Sequence, residues 1–319
     1  MKPPAARFAA LAVLILVLLV VPFVSTGYIL RLLTLLFTFA VMASAWNLIG
    51  GFTGYADFGV VVFFGLGGYT TGLLMLKAKA PFVAAWLAGG LVCLVFAVLM
   101  GLLLLRLRGH YFAIATLGTS FAVREVIANW PSVTGGGTGI SLPIYQFPNS
   151  VFYFIMLGLL IVIVSLTRWI SLNRLGFGLV AIRENEQAAG VLGVNAVRYK
   201  VTAYTVSGFF IGMVGGAYAY WITFIDPGTT FDVGITVEVV IMAVLGGAGT
   251  VAGPLVGAFI LTIISEVLNG YVPSIHLTVL GIIIVTVVLL IPGGVIEYLG
   301  LKRKLSFRSI GATLAETRV

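Results

Sequence analysis

The chain has 319 residues, of which 61% are hydrophobic and only 9% are charged, and its formal net charge is +8. Its mean hydropathy is +1.17, whereas a soluble domain carries about 25% charged residues, so a water-soluble globular protein is excluded. The positive charge does not require nucleic acid, because the basic loops of a membrane protein face anionic lipid headgroups. We therefore expect an integral membrane protein with the lipid bilayer, and no nucleic acid, as its partner.

Apolar runs recur from one end of the chain to the other. A helix needs about 20 mostly apolar residues to cross a bilayer, and these runs are continuous rather than alternating, which argues against a β-barrel. The fold class that we predict is all-α and polytopic, with a single transmembrane domain over residues 1–319. It has about ten hydrophobic segments, some of them short or broken: 8–24, 29–49, 57–76, 82–105, 111–130, 150–167, 201–224, 235–248, 251–269 and 277–296.

The first run follows Lys2 and Arg7 and lacks a cleavage site of small residues, so we interpret it as a retained signal anchor. Further along the chain, two glycine-rich patches interrupt apolar runs, at Gly50–Gly54 and at Gly246–Thr250. Paired interruptions in the two halves of a chain are typical of repeat-built transporters, in which broken helices surround a substrate path. They indicate an internal repeat, although turns and close helix packing would also explain most of these glycines.

Among the carboxylates within the apolar runs or near their ends, we single out Asp57, Glu238 and Glu266. Ionisable groups in a membrane are costly and are functional candidates by default. We consider them for a polar substrate path or a proton relay, and the latter would make the protein a secondary transporter. The alternative is that each is a helix-end residue solvated at the membrane surface.

The stretch 168–200 is too polar for lipid and separates two apolar runs. Its centre carries Arg183, Glu184 and Glu186, framed by apolar residues on both sides. This pattern suits a short helix on the membrane face whose charged surface is offered to a soluble partner, or a helix that only lies in the interface.

Basic residues sort onto one side when the ten runs alternate across the membrane. The inner side collects fourteen and the outer side four, which predicts that both termini are cytoplasmic. The basic tail 299–319 is then a topology determinant. The inner residues are Lys2, Arg7, Arg106, Arg108, Arg168, Arg174, Arg183, Arg198, Lys200, Lys302, Arg303, Lys304, Arg308 and Arg318; the outer ones are Arg31, Lys77, Lys79 and Arg124.

The sequence shows no signs of catalytic or cofactor chemistry. No lysine follows a glycine, so a phosphate-binding P-loop is excluded. Gly247-Ala248-Gly249-Thr250-Val251-Ala252 matches a dinucleotide fingerprint only as a bare pattern, because its flanks are membrane-length apolar runs. Neither the lone Cys93 nor the distant pair His110 and His276 indicates a metal site. We expect no catalytic residues, no cofactor and no metal.

Several strings in the chain resemble one known family. Gln187-Ala188-Ala189-x-x-x-Gly193 is similar to the EAA loop of ABC importer permeases, which fits into a groove of the ATPase subunit. The strings Ala181–Lys200, Leu105–Ile114 with Thr134–Ile140, and Val244–Ala258 resemble the LivM-type permeases of branched-chain amino-acid importers. The likeness runs in matching order from about residue 45 to 298.

The resemblance implies an ABC importer permease fold and no catalysis by this subunit. The chain would supply half of a translocation path for branched-chain or other hydrophobic amino acids, in the cytoplasmic membrane of a bacterium or archaeon. Implied partners are a second related permease, two ATP-binding-cassette ATPase subunits and an external solute-binding protein. Coupling to the ATPases is assigned to the loop 173–200, through Arg183, Glu184, Glu186, Gln187, Ala188, Ala189 and Gly193. The residues assigned to the path are Asp57, Gly54, Gly65, Thr138, Gly246 and Gly247.

Two departures from the family pattern leave the substrate open. Glu is usual where Gln187 stands, and the family typically has Gly-Gln-x-Ser-x-Gly-His where this chain has Gly54-Tyr55-Ala56-Asp57-Phe58-Gly59-Val60. The alternatives are therefore an ABC permease for another small polar solute, such as an amide or urea, or a secondary transporter that uses intramembrane carboxylates.

Overall fold

A computed structural model describes residues 16–145, 148–271, 281 and 294–298. Residues 16–24 are helical. The helices after them are α1 (Gly27–Thr53), α2 (Val60–Lys77), α3 (Phe82–Leu104), α4 (His110–Ala128), α5 (Pro131–Thr134), α6 (Ser150–Leu172), α7 (Arg174–Val191), α8 (Ala196–Ile222), α9 (Pro227–Thr230), α10 (Val233–Gly247), α11 (Gly253–Tyr271) and α12 (Val295–Tyr298). A 3-10 turn covers Gly136–Thr138, and the strands are β1 (Ile140–Ser141) and β2 (Phe224–Ile225).

The predicted all-α polytopic fold is confirmed. Seven helical segments in the described residues are long and apolar enough to cross a membrane, and they match seven of the ten predicted runs. Of the other three runs, 8–24 is described only from residue 16, 251–269 forms the shorter apolar helix α11, and 277–296 lies largely outside the described residues.

The two longest helices, α1 and α8, form the centre of the bundle. α1 packs on α6, α8, α10 and α11, while α8 packs on α2 and α3 as well as α1. In the most apolar part of α1, 78% of the residues are buried, against 17% in α4 at the periphery. A helix that is apolar on all sides must be buried in protein or lipid, and here packing decides which of the two applies.

Glycines let α2 and α8 approach backbone to backbone. A Cβ atom on Gly67 would lie 2.1 Å from the carbonyl oxygen of Gly212, and one on Gly215 would lie 2.0 Å from that of Phe64. In a membrane, helices associate through close packing rather than exclusion of water. These small residues therefore hold α2 and α8 together.

The bundle has two distinct ends. At one, which we call the strand end, Ile140 of β1 pairs antiparallel with Ile225 of β2, and the Lys77 ammonium donates a hydrogen bond to the Ser132 carbonyl (2.7 Å). The open edges of a two-stranded ribbon are not tolerated in hydrocarbon, so this end lies at a membrane surface. The opposite end, which we call the α7 end, holds the carboxyl ends of α1, α3, α6 and α10 and the amino ends of α2, α4, α8 and α11.

Basic residues are distributed unequally between the two ends. Four of those in the described residues lie at the strand end: Arg31, Lys77, Lys79 and Arg124. Seven lie at the α7 end: Arg106, Arg108, Arg168, Arg174, Arg183, Arg198 and Lys200. The structure thus groups these residues into the same two sets that we predicted from the alternation of apolar runs.

Candidate functional site

The stretch 173–200 folds as a helical hairpin against the bundle. α7 occupies Arg174–Val191, and α8 already begins at Ala196. A Cβ on Gly176 would lie 2.3 Å from the Ile170 carbonyl oxygen, and one on Gly178 would lie 2.3 Å from the ring of Tyr199. These two glycines therefore allow α7 to fold back tightly onto α6 and α8.

A break at Asn185 divides α7 into two pieces. Its backbone is extended (φ −161°, ψ 107°), and its side-chain oxygen accepts hydrogen bonds from the amides of Gln187 and Ala188, each at 3.0 Å. Asparagine is favoured at helix amino ends because it satisfies amides that lack an intrahelical partner. Asn185 thus ends one helical piece and caps the next.

Gly193 ends the second piece in a Schellman motif. The Gly193 amide donates to the Gly190 carbonyl (3.0 Å) and the Val194 amide to that of Ala189 (3.0 Å), while Gly193 has φ +86°. Glycine adopts this left-handed conformation without strain. The turn leaves Val191 and Leu192 protruding, 89% and 82% exposed. We call residues 187–193 the tip.

The Glu186 side chain points away from the tip, towards the α1–α2 linker and α8. Its Oε1 accepts a hydrogen bond from the Lys200 ammonium (3.0 Å), its Oε2 accepts one from the Tyr55 hydroxyl, and Lys200 also donates to the Tyr55 oxygen (3.0 Å). The Lys200 side chain is only 1% exposed, and that of Glu186 is 18% exposed. The three side chains therefore close a ring of hydrogen bonds between the α1–α2 linker, α7 and α8.

The environment of this ring keeps Glu186 ionised and Tyr55 neutral. Burial favours a higher pKa for Glu186, but the hydrogen bonds from Tyr55 and Lys200 and the positive charge nearby outweigh it, and the pKa falls below its usual value. Burial and the bond to Glu186 raise the pKa of Tyr55. A buried ammonium beside a carboxylate and a neutral hydroxyl is a fully paired arrangement.

On the other side of the break, Arg183 joins α7 to the two glycine-rich patches. Its guanidinium donates to the carbonyl of Gly51 (3.2 Å), one of the last four of α1, which lack helical partners. A Cβ on Gly249 would lie 2.6 Å from Arg183 Nη1, so the second patch abuts the same guanidinium. Asn47, three residues before the first patch, binds the second patch, because its side chain accepts from the Gly249 amide (2.7 Å) and donates to the Thr250 carbonyl (2.8 Å).

The residues assigned to coupling have different environments along this segment. Arg183, Glu184, Gln187, Ala188 and Gly193 are exposed, whereas Ala189 is buried and Glu186 is mostly enclosed. The surface that a partner could touch is therefore the tip together with Arg183 and Glu184. Glu186 instead holds the segment to the bundle.

The residues assigned to the path are spread over the fold. Gly54 lies against the Arg183 side chain, and Gly246 packs on Gly253 where α10 meets α11. Gly247 is in the same turn, and its carbonyl accepts from Thr250. At a distance from these, Gly65 packs on the ring of Phe231, and Thr138 is exposed at the strand end. They do not form one site in the described residues, and their path role stays a prediction.

Asp57 is enclosed within the chain. The predicted run 57–76 becomes helical only at Val60, so Asp57 lies in the α1–α2 linker. Its side chain is 0% exposed, its Oδ1 accepts from the Gly59 amide (2.8 Å), and its backbone carbonyl accepts from the Trp46 indole (2.8 Å). Its Oδ2 has no hydrogen-bond partner among the described residues.

The other two carboxylates lie elsewhere, between α1, α10 and α11. Glu266 accepts a hydrogen bond from the Tyr28 hydroxyl (2.8 Å) and lines a cavity of about 210 Å³ with Leu32 and Ile263. A smaller cavity of about 40 Å³ is lined by both Glu238 and Glu266. Asp57 borders neither cavity, so the three carboxylates do not form a single relay in the described residues.

Sequence patterns did not identify Tyr55, Lys200, Asn185 or Asn47 as parts of this site. Lys200 and Asn185 lie in the string 181–200 that resembles the family, but no role in the site is assigned to either from the sequence, and Tyr55 is noted only as part of a departure from the family pattern. Residues 55, 186 and 200 have no spacing that places them on one helix face, so only the packing of three segments brings them together. For metals, the described residues hold no group of three His, Cys, Asp or Glu side chains placed to bind an ion.

Most of this chain is similar in sequence to known proteins. A family model for the permease component of branched-chain amino acid transport systems matches residues 28–288. The high-affinity branched-chain amino acid transport system permease protein LivM of Escherichia coli (strain K12) is 28% identical over 280 residues, covering 78% of this chain and 66% of that protein.

Two further relatives are also 28% identical but match shorter stretches. The autoinducer 2 import system permease protein LsrC of Salmonella typhimurium is aligned with 63% of this chain and 61% of its own length. The ribose import permease protein RbsC of Bacillus subtilis is aligned with 69% of this chain and 62% of its own length. The chain thus spans slightly less than two thirds of the length of these relatives. No solved structure matches it significantly.

Proposed function

The chain belongs to the family of permease components of branched-chain amino acid transport systems, and from this premise we propose that it is a membrane subunit of an ATP-driven importer. It forms half of a translocation path and performs no bond chemistry. The multi-pass bundle and the relatives named as import or transport permeases support this proposal. Its partners are a second related permease, two ATP-binding-cassette ATPase subunits and an external solute-binding protein.

We place the α7 end in the cytoplasm of a bacterium or archaeon. We assign both termini, which lie outside the described residues, to the same side. The excess of basic residues at the α7 end supports this orientation, because cytoplasmic loops are enriched in Lys and Arg. The tip then faces the compartment in which ATP is hydrolysed.

The exposed tip is the observation that carries the proposal. Asn185 and Gly193 cap a short helical piece at its two ends, and Val191 and Leu192 stand out from it almost fully exposed. Apolar side chains on a preorganised turn suit insertion into a groove of a soluble subunit, because little conformational entropy is lost on binding. The alternative is that the tip only rests in the lipid interface.

Charge substitution at the tip separates these two roles. We expect Leu192→Glu to abolish copurification of the ATPase subunits and ATP-driven uptake, because a carboxylate would be buried in the groove without a partner. The permease should still insert into the membrane at normal levels. The measurements are pull-down of the ATPases and uptake in proteoliposomes.

Ile144→Glu is the matched control, because Ile144 is also highly exposed (85%) but lies near the strand end. This variant should keep ATPase binding. A Leu192→Glu complex that copurifies and transports like the wild type would make the tip an interfacial turn and remove the main support for the importer proposal.

We propose branched-chain or other hydrophobic amino acids as the substrate, since LivM matches the longest stretch of the three relatives named above. A small polar solute is the second candidate, because the relatives LsrC and RbsC are named for importing autoinducer 2 and ribose. Competition decides between them. Excess leucine, but not ribose or urea, should suppress uptake of labelled leucine by the reconstituted complex.

A further inference from the structure

Three segments of the chain are joined by the ring of Tyr55, Glu186 and Lys200. The Tyr55 hydroxyl donates to Glu186, and the Lys200 ammonium donates to both of the others. The ammonium also lies 4.2 Å from the centre of the Tyr55 ring, within reach of a cation–π interaction. Each of the three residues therefore contacts the other two, and none can move far alone.

The burial of Lys200 ties the three residues of this ring to one another. Lys200 lies in the second turn of α8 and is almost completely buried. A buried cation is tolerated only when it is paired. When Glu186 moves, Lys200 must follow it or lose its counter-ion, and the linker residue Tyr55 must follow it or lose the acceptor of its hydroxyl proton.

The break in α7 lies between this ring and a second anchor. Arg183 holds the first helical piece to the carboxyl end of α1 through Gly51, while Glu186 holds the second piece to α8 and to the linker. Asn185 between them is the residue with non-helical backbone angles. A displacement of the tip therefore turns the second piece about Asn185 and pulls on Tyr55.

The linker leads to the buried carboxylate of Asp57, two residues beyond Tyr55. The Trp46 indole and the Gly59 amide bind Asp57 and link it to the ends of α1 and α2. A pull on Tyr55 thus acts on the linker where α1 ends and α2 begins.

We propose that Tyr55, Glu186 and Lys200 are positioning residues that transmit movement of the α7 tip to the α1–α2 linker, and so link ATP hydrolysis to opening of the path. This inference rests on the proposed function. It assigns Glu186 a role inside the chain rather than at the ATPase surface.

The first experiment measures the ratio of leucine uptake to ATP hydrolysed by the reconstituted complex. Lys200→Met and Tyr55→Phe should lower this ratio at least tenfold while the ATPases still copurify and hydrolyse ATP, because the tip is unaltered. The charge exchange, in which Glu186→Lys and Lys200→Glu are combined, should bring the ratio most of the way back to the wild-type value. Arg198→Met, which removes an exposed cation one half-turn from Lys200, should leave the ratio unchanged.

The second experiment needs no solute. Ala56 is exposed in the linker and the native Cys93 is buried, so Ala56→Cys provides a single reactive thiol. Its maleimide labelling rate should differ between nucleotide-free and vanadate-trapped complexes, lose that difference in Lys200→Met and regain it in the charge exchange.

Two outcomes overturn the inference. The first is that folded Tyr55→Phe and Lys200→Met keep the wild-type ratio of leucine uptake to ATP hydrolysed. The second is that nucleotide changes the labelling rate in Lys200→Met as much as in the unsubstituted protein. Tyr55→Phe removes only the hydroxyl and keeps the aromatic side chain, so it remains decisive if Lys200→Met does not fold. Failure of the wild-type chain to bind an ATPase or to transport with ATP would instead refute the proposed function.

Discussion

At the scale of single residues, Asp57 and Asp232 share one local geometry but have different surroundings. Each carboxylate accepts a hydrogen bond from the amide two residues on, Gly59 at 2.8 Å and Gly234 at 2.9 Å. Asp232 is exposed and begins α10, whereas Asp57 is fully buried with one oxygen unpartnered among the described residues. Turn formation accounts for the role of the exposed Asp232. For Asp57 it accounts for only one of the two buried carboxylate oxygens.

This contrast leads to a prediction for Asp57. Asp57→Asn keeps the oxygen that binds the Gly59 amide but removes the ionisable group. We expect uptake to fall at least several-fold while membrane insertion and ATPase binding stay normal. Asp232→Asn is the control and should transport normally, because asparagine caps helices as well as aspartate does. Equal uptake in both variants would make Asp57 a turn-forming residue only.

At the scale of elements, α7 is shaped by its breaks more than by its helix-forming residues. Gly190 and Gly193 both lie where an added Cβ would contact nothing within 4 Å. They differ in backbone conformation, because only Gly193 has a positive φ, of +86°. Any effect of a methyl group at Gly193 is therefore conformational rather than steric.

We accordingly expect opposite results from two alanine substitutions. Gly193→Ala places a side chain in the left-handed region, which costs about 1–2 kcal/mol, and should weaken ATPase binding by about five- to thirtyfold. Gly190→Ala favours the helix by up to about 1 kcal/mol and should bind equally well or better. The affinity of the detergent-solubilised permease for its ATPase measures both. Equal loss in the two variants would show that the Schellman turn does not position the tip.

At the scale of the whole molecule, the strand end and the α7 end differ in structure and in charge. The first carries the ribbon of β1 and β2, and the second carries the excess of basic residues and the tip. The proposed orientation can be tested at two glycines that tolerate a side chain, Gly137 near the ribbon and Gly190 in the tip, since both are exposed with open space around them.

A membrane-impermeant thiol reagent should label Gly137→Cys in intact cells and label Gly190→Cys only after the cells are opened. Buried Cys93 contributes little background. Labelling of Gly190→Cys in intact cells would invert the orientation and separate the tip from any cytoplasmic ATPase. It would thereby contradict the proposed function as well.

The sequence alone was sufficient to predict the class of the fold and the grouping of basic residues. Length and apolarity predict a membrane helix because the bilayer imposes both, whatever the neighbours. For the same reason the predicted runs agree with the helices of the described residues to within a few positions. The polarity of 183–193 likewise required a place outside lipid, and its helical structure in α7 agrees with the interpretation.

Contacts between distant segments were decided only by the tertiary structure. The chain order places Tyr55, Glu186 and Lys200 in three separate stretches. From the charge pattern we predicted that Glu186 would contact a soluble partner, and not that it would pair with Lys200 inside the chain. Which charges pair inside the protein depends on how α7 folds onto α1 and α8, since a buried ammonium must find its carboxylate among whatever the packing brings near. The amino-acid sequence determined the spans and their alternation, because lipid acts on each segment separately. The tertiary structure decided that the two glycine patches, the broken helix α7 and the linker meet at one end, because that arrangement depends on all the segments at once.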